Sequence, residues 1–107
     1  MDDENNYFFD IDEEHEEKRS FVVICYDIQN NKRRYRFSKF LEHYAIRVQR
    51  SVFEAELSPK TYKELVAGID RFTNEDDSIR LYRIGGGREV QSWGKDSGSK
   101  IEEVVII

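Results

Sequence analysis

A single carboxylate and a run of arginines follow one short apolar segment of the chain. The segment FVVICYDI contains Tyr26 and Asp27 near its end, and three arginines, Arg33, Arg34 and Arg36, come within the next ten residues. An aspartate can bind a divalent cation, and arginines bind phosphate oxygens through the fork of the guanidinium group. These residue types together indicate chemistry on a phosphodiester, in which a metal activates water and neutralises the charge that builds up on the phosphate.

The charges of the chain are divided unevenly along its length. Residues 1–20 hold nine acids and two bases, whereas residues 21–107 hold thirteen acids and fifteen bases. Seven bases fall within residues 28–53, where Glu42 is the one acid. These bases are Lys32, Arg33, Arg34, Arg36, Lys39, Arg47 and Arg50. Such a concentration of positive charge is typical of a surface that binds polyanions, and a merely solvated helix face is the simpler alternative.

Length and composition favour one small cytoplasmic domain without membrane contact. The chain has 107 residues, and no apolar run approaches the roughly 20 residues that a membrane helix needs. Its acidic N-terminus is unlike a secretory signal or a transit peptide. Cys25 lies alone in an apolar segment, which is typical of a small buried residue in a reducing compartment. We expect residues 1–20 to be a disordered acidic arm and residues 21–107 to form the domain, with a docking motif in the arm as the alternative.

Hydrophobic periodicity predicts the first half of the fold. The apolar run over residues 21–28 predicts a strand, and Asn30 or Asn31 can cap the helix that follows. Phe37, Phe40, Leu41 and Tyr44 recur at the spacing of a core-facing helical stripe. In residues 46–57 the apolar positions change phase, so we expect a bulge or a sharp reversal near residues 49–52.

The second half repeats the pattern and gives the fold class. Ser58 and Pro59 predict the start of a second helix, and residues 78–84 read as a strand. A glycine run then leads to a short strand near residues 90–93, and residues 104–107 predict a last strand. The order β-α-β-β-α-β predicts an α+β, ferredoxin-like sandwich with an additional C-terminal strand. Since the first strand is apolar throughout, we expect a second copy of the chain to cover the sheet face that the helices leave open.

Several motifs, in this order, resemble the CRISPR-associated protein 2 family, which provides the small dimeric subunit of the CRISPR spacer-acquisition complex. The resemblance covers about residues 21–84. The motifs are Tyr26-Asp27-Ile28, the helical Arg34 and Arg36, Arg47-Val48-Gln49, Ser51-Val52-Phe53, Ser58-Pro59 and the strand-like run from Asp76 to Tyr82.

The resemblance implies a homodimeric, metal-dependent endonuclease that acts on double-stranded DNA or single-stranded RNA and joins the CRISPR integrase. It implies that Asp27 binds Mg²⁺ or another divalent cation and that Tyr26 assists catalysis. It also implies that the partner's sheet receives the C-terminal strand. Positions linked to nucleic acid or activity in the family fall on Tyr26, Arg34, Arg36, Arg47 and Phe53. From the basic cluster we add Arg33 and Arg50 as candidate nucleic-acid contacts.

Alternatives stay open for individual residues and for the function. Asp27 could instead cap the first helix, Tyr26 could serve core packing, and Phe53 could lie in the core or at a dimer interface. The function could be that of a non-catalytic scaffold that bridges integrase subunits, or of a ribonuclease toxin of the virulence-associated D type. The acidic arm beside a basic cluster also suggests that the arm competes with nucleic acid.

Overall fold

A computed structural model describes residues 19–85 and 89–95, which form five strands and two helices. Residues 1–18, 86–88 and 96–107 lie outside the described residues, so the predicted strand 104–107 does as well. The predicted arm of residues 1–20 lies outside them up to residue 18, whereas Ser20 belongs to the first strand. The elements are β1 (Ser20–Asp27), α1 (Asn31–Leu41), β2 (Ile46–Gln49), β3 (Val52–Leu57), α2 (Pro59–Phe72), β4 (Ser78–Ile84) and β5 (Glu89–Gly94).

The strands form one antiparallel sheet in the order β2-β3-β1-β4-β5. The first four strands and the two helices follow the predicted β-α-β-β-α-β order, and β5 extends the sheet beside β4. The predicted α+β class is therefore confirmed. This order places β1 at the centre of the sheet and β2 at an edge.

Helix α1 begins at the predicted cap. The side chain of Asn30 accepts a hydrogen bond from the backbone N–H of Arg33 at 2.9 Å, which satisfies one of the free donors of the first turn. The alternative reading of Asp27 as the cap is therefore wrong, because Asn30 supplies the capping oxygen. Phe37 and Leu41 are fully buried beneath the helix, as the stripe predicts.

The β2–β3 hairpin contains the predicted irregularity. The register shifts between Arg47 and Gln49, so that Val48 has no partner in the opposite strand, and Arg50 and Ser51 form the turn. Arg47 pairs with Phe53, and both side chains therefore lie on the same face of the hairpin. The bulge explains how apolar residues of opposite phase fit one hairpin.

Helix α2 starts as predicted and packs closely on α1. Ser58 accepts a hydrogen bond from the backbone N–H of Thr61 at 3.3 Å, and Pro59 occupies the first turn. A Cβ atom added at Gly68 would overlap the ring of Phe40. This close approach explains a glycine that would otherwise only weaken the helix.

The two faces of the sheet differ in their cover. Along β1, Val22, Ile24 and Tyr26 are buried beneath the helices. The alternate residues belong to what we call the open sheet face, which exposes Phe21 to 41% and Ile84 to 55%. It comprises Phe21, Val23, Cys25, Tyr82, Ile84 and Val90. Within the described part of the chain, no helix is long and apolar enough to cross a membrane.

Candidate nucleic-acid interface

A cavity of about 150 Å³ lies where the end of β1 meets α1 and the β2–β3 hairpin. We call it the arginine cavity, because three arginines contribute to its wall. Its lining residues are Tyr26, Arg34, Ser38, Arg47, Arg50 and Ser51. Four of the residues predicted from the sequence are thus brought together, from segments that are up to 24 positions apart.

Tyr26 is fixed at the inner wall of the cavity by the core. Its ring contacts Phe37 edge-on at a centroid distance of 5.0 Å, and the Phe53 ring lies 6.2 Å away. The backbone N–H of Tyr26 donates to the carbonyl of Ser51 at 3.1 Å, which ties the hairpin turn to β1. Only 6% of the residue is exposed, so core packing and a place in the cavity are compatible roles.

The environment of Tyr26 keeps its hydroxyl group protonated. Burial raises the pKa of Tyr26 above the ordinary value of 10.0, and the positive charges of Arg47 and Arg34 and a hydrogen bond with Arg47 oppose this shift without cancelling it. Near neutral pH the residue is therefore a neutral phenol. It can donate a hydrogen bond to a phosphate oxygen, but it is not a general base.

Arg47 stands at the rim of the cavity above the aromatic core. Its guanidinium carbon lies 5.1 Å from the centroid of the Phe53 ring, and Nη1 donates to the carbonyl of Arg50 at 2.6 Å. Phe53 itself is fully buried, which places it in the core of the single chain. Stacking on an aromatic ring leaves the edges of the guanidinium group open to bind an anion.

Arg34 holds the loop between β1 and α1 and also faces the cavity. Its Nη1 donates to the carbonyl oxygens of Ile28 at 2.8 Å and Gln29 at 3.3 Å, and its Nη2 donates to Oδ1 of Asn31. A guanidinium group has five N–H donors, so these bonds leave capacity for a ligand. Arg34 therefore combines a structural role with a place in the site.

The positive charge of the cavity is not neutralised by the described residues. Neither Arg34, Arg47 nor Arg50 forms an ion pair with any acid in residues 19–85 and 89–95. Glu42, the acid of this part of the sequence, pairs instead with Lys39 at 3.5 Å. An uncompensated group of guanidinium donors is the kind of site that binds phosphate.

Asp27 does not belong to the arginine cavity. It continues the alternation of Val23 and Cys25 along β1, is exposed, and pairs in register with Ser78 of β4 at one end of the open sheet face. Its Oδ1 accepts a hydrogen bond from Nε2 of Gln29 at 2.8 Å. Among the described residues the other carboxylate oxygen, Oδ2, accepts no hydrogen bond and can bind a ligand.

One chain supplies only part of a metal site at Asp27. The described residues contain no group of three or more His, Cys, Asp or Glu side chains that could hold a metal ion. A single accessible carboxylate fits Mg²⁺, which retains several waters and takes one or two carboxylates. With one carboxylate per chain, Asp27 fits one half of a metal site shared by two chains better than it fits a complete site within one chain.

Arg33 and Arg36 lie apart from the cavity. Arg33 forms an ion pair with the buried Asp77, donates to the carbonyl of Phe72 at 3.1 Å, and lies 4.6 Å above the Phe72 ring. These contacts join α1 to the end of α2, so we assign Arg33 a structural role, and its predicted contact with nucleic acid stays a prediction. Arg36 is exposed on α1 and does not line the cavity.

Sequence reasoning missed three contributors to this region. Ser38 and Ser51 line the cavity, and Ser38 stands four positions after Arg34, a spacing that places two helical residues on one face. Asp77 falls within the run from Asp76 to Tyr82 without a role of its own, yet it is 3% exposed and also accepts a hydrogen bond from the backbone N–H of Asn74 at 2.9 Å. Asp77 is one of several acids in this part of the sequence, and nothing in its residue type or spacing predicts that it is the buried one.

Known proteins are similar to this chain in sequence and in fold. A relative from Mycobacterium tuberculosis (strain CDC 1551 / Oshkosh) named CRISPR-associated endoribonuclease Cas2 is 41% identical over 88 residues, which cover 82% of this chain and 78% of that protein. A solved structure described as the crystal structure of cas2 superposes with a TM-score of 0.58 at 38% identity, covering 62% of this chain and 75% of the other.

A further structural match comes from an assembly. A chain in a structure described as a partial Cas6-RT-Cas1–Cas2 complex matches with a TM-score of 0.52 at 36% identity, covering 60% of this chain and 77% of that one. The family model described as CRISPR associated protein Cas2 matches residues 20–91 of this chain, from the first strand into β5. The chain with the arginine cavity and the strand-end Asp27 therefore belongs to the CRISPR-associated protein Cas2 family.

Proposed function

We propose that the chain acts as a homodimer that binds nucleic acid at the arginine cavity, bridges the CRISPR integrase during spacer acquisition, and hydrolyses phosphodiester bonds with a divalent metal held by Asp27. The observation that carries the proposal is the cavity itself, in which Arg34, Arg47 and Arg50 flank the hydroxyl-bearing Tyr26 without an ion-pair partner among the described residues.

The cavity is suited to the sugar-phosphate backbone rather than to bases. Guanidinium groups bind phosphate oxygens through paired N–H donors, and the phenol of Tyr26 and the hydroxyl of Ser51 add further hydrogen bonds. Nothing in the cavity lining forms an extended aromatic platform or a helix suited to a DNA groove. Binding should therefore depend strongly on salt and weakly on sequence.

The open sheet face supports the homodimer. Phe21 and Ile84 are directly opposite each other in the β1–β4 pair, and Tyr82 is opposite Val90 in the β4–β5 pair, so these side chains form one apolar surface. A sheet face of this kind requires cover, and the same face of a second copy is self-complementary under two-fold symmetry. Glu54 and Arg80 also lie on this face and can pair across such an interface.

The position of Asp27 joins dimerisation to metal binding. Asp27 lies on the same side of the sheet as the apolar surface, beyond Cys25 at the end of β1. Two copies packed through this face would therefore bring two carboxylates toward a common axis. Mg²⁺ bound there would supply an activated water and stabilise negative charge on the phosphate. The chain's own contribution is the carboxylate and the Gln29 amide that orients it.

Names of similar proteins support the remaining parts of the proposal. The mycobacterial relative is called an endoribonuclease, and the assembly that contains a similar chain includes Cas1. We therefore propose nuclease activity on single-stranded RNA or double-stranded DNA, and the integrase as the protein partner.

A second candidate function is a scaffold without catalysis. It is favoured by the separation of Asp27 from the cavity and by the absence, among the described residues, of a metal-binding group of three side chains. In this role the dimer holds a DNA duplex along its arginines and bridges the integrase subunits, and Asp27 has no part in the reaction.

Substitution of Asp27 separates the two candidates. We expect Asp27→Ala to lose Mg²⁺-dependent hydrolysis of RNA and DNA while it keeps the dimer and the affinity for duplex DNA. The matched control is Asp70→Ala, which removes an exposed carboxylate from α2. Spacer acquisition with the integrase is then measured for each variant. Acquisition that survives in Asp27→Ala supports the scaffold, and loss of acquisition with intact DNA binding contradicts it.

A further inference from the structure

We propose that the acidic N-terminal segment of the chain, residues 1–18, docks on the arginine cavity of the same chain and competes there with nucleic acid. The competition rests on the proposed function, whereas the docking itself does not, because it can be tested without nucleic acid. The proposal joins two features that the fold leaves separate: an excess of acids in that segment and a group of unneutralised arginines on the domain.

Charge complementarity indicates that residues 1–18 are the segment that binds at the arginine cavity. Residues 1–18 contain nine acids and one base, Lys18. Arg34, Arg47 and Arg50 have no carboxylate partner in the described residues, and carboxylates bind guanidinium groups in the same paired geometry as phosphates do. An acidic peptide can therefore bind the same arginines as the phosphates of the proposed nucleic-acid ligand.

Arg33, Arg71 and Arg83 compete poorly for this segment. Arg33 is already paired with Asp77, and Arg83 is paired with Glu89 at 3.0 Å. Arg71 is exposed, but it lies alone on α2, whereas the cavity brings three guanidinium groups to one place. Several carboxylates of one segment can therefore pair with guanidinium groups at the cavity at the same time.

The length of the segment is sufficient. The described chain begins at Arg19, one residue before β1, and Tyr26 lies seven positions further along. At about 3.3 Å per residue, the strand carries the chain roughly 20 Å toward the cavity. An extended segment of 18 residues spans up to about 60 Å, so residues 1–18 can return along the domain and reach the arginines.

Attachment to the same chain makes weak contacts effective. A tethered segment is present near its site at an effective concentration in about the millimolar range, which no free competitor matches at ordinary levels. Exposed ion pairs are screened by salt, so the docking is strongest at low ionic strength and is lost as salt is added. The segment would then favour long or multiply bound nucleic acid over short, weak ligands.

The experiment uses full-length chains with matched charge changes. The arm variant neutralises four acids of the segment, Asp12→Asn, Glu13→Gln, Glu14→Gln and Glu16→Gln. The body variant neutralises four exposed acids of α2 and the loop after it, Glu64→Gln, Asp70→Asn, Glu75→Gln and Asp76→Asn. Both variants raise the net charge equally, so a difference between them reports position and not total charge.

The first measurement is free of nucleic acid. NMR signals of the Nε–Hε groups of Arg34, Arg47 and Arg50 are compared among the three chains at low salt. We expect these signals to shift in the arm variant and not in the body variant, and to coincide in all chains at about 300 mM NaCl, where the Debye length is only about 6 Å. Identical arginine signals at low salt in the wild type and the arm variant would overturn the proposal. A dependence on protein concentration would place the segment on a second copy and would also overturn docking within one chain.

The second measurement tests competition with a fluorescein-labelled DNA duplex of random sequence. At low salt we expect the arm variant to bind about three- to tenfold more tightly than the wild type, and the body variant to change by less than about twofold. Equal gains in both variants would overturn the competition, because total charge would explain them. If no chain binds DNA, the proposed function fails, and the arginine signals still decide whether the segment docks.

Discussion

Tyr26 and Asp27 are consecutive residues of β1 and lie on opposite faces of the sheet. Tyr26 is buried against Phe37 and lines the arginine cavity, whereas Asp27 is exposed at one end of the open sheet face. The alternation of a strand makes this separation unavoidable. Within one chain the two residues therefore do not converge on one site. The proposed binding of the sugar-phosphate backbone and the proposed metal chemistry consequently fall on different surfaces.

We predict that Arg50→Gln weakens the binding of duplex DNA to a similar extent for every sequence. Arg50 is exposed, and the structure shows its backbone carbonyl, rather than its side chain, in a contact with Arg47. The loss of one phosphate contact should reduce the slope of log affinity against log salt by about 1. Fluorescence anisotropy at several salt concentrations measures this slope.

Arg71→Gln is the matched control for that measurement, since it removes an exposed arginine from α2 with the same change in charge. The control should leave the slope nearly unchanged. Equal effects of Arg50→Gln and Arg71→Gln would show that the cavity has no special part in binding. A sequence-dependent loss would contradict binding through the backbone alone.

We predict that Asp77→Ala destabilises the fold by about 2–4 kcal/mol, because it leaves the partly buried Arg33 without its partner. The substitution also removes the acceptor for the backbone N–H of Asn74. Urea denaturation followed by circular dichroism measures the free energy of unfolding. Asp76→Ala, at the exposed neighbouring position, should cost less than about 0.5 kcal/mol. Similar losses in both variants would contradict the structural role assigned to Arg33 and Asp77.

Local signals in the sequence were sufficient to predict most of the fold. Asn30 and Ser58 cap the two helices, and the predicted change of phase within residues 46–57 appears as the bulge at Val48. Such features are decided by neighbouring residues, through hydrogen bonds and side-chain alternation, so they can be read from the chain.

Features that depend on distant residues could not be read in this way. The reason for Gly68 is the Phe40 ring on another helix, and the burial of Asp77 depends on Arg33, 44 positions earlier. The basic cluster alone does not divide Arg33 from Arg34, because adjacent positions on a helix point about 100° apart and tertiary packing decides the contacts of each. Only the family resemblance singled out Arg34. Residue types therefore predicted which chemistry a site could support, whereas the positions of the individual side chains could be read only from the fold.

We predict that the free energy of unfolding falls as the pH rises above about 9. Burial raises the pKa of Cys25 above 9.0 and the pKa of Tyr26 and Tyr62 above 10.0. The unfolded chain therefore loses these protons first, and stability that is complete below 9.0 is lost as the pH rises through the raised pKa values. Urea denaturation at several values between about pH 8 and about pH 11 measures this loss.

Cys25→Ala tests how much of the fall in the free energy of unfolding at about pH 9 is due to the Cys25 thiol. Removal of the thiol should flatten the fall in the free energy of unfolding between about pH 9 and about pH 10 and leave the later fall, which belongs to the tyrosines. An unchanged profile in Cys25→Ala would contradict the contribution of the thiol.

We predict that Phe21→Glu converts the proposed dimer to a monomer without unfolding the chain. Phe21 is 41% exposed in the single chain and lies opposite Ile84 on the open sheet face, so a carboxylate there is tolerated by the isolated domain. In a two-fold interface the same substitution buries two unpaired charges, which opposes association. Light scattering after size-exclusion chromatography measures the mass, and circular dichroism verifies the fold.

Tyr35→Glu provides the control, because Tyr35 is a 62% exposed aromatic residue on α1, on the other side of the sheet. This variant should remain dimeric. If metal binding needs two Asp27 carboxylates, the Phe21→Glu monomer should also lose Mg²⁺-dependent hydrolysis while Tyr35→Glu retains it, since one carboxylate is a weak ligand set for this ion. A monomeric wild type, or a monomeric variant with full hydrolysis, would contradict the shared site and leave the arginine cavity as the functional surface of a single chain.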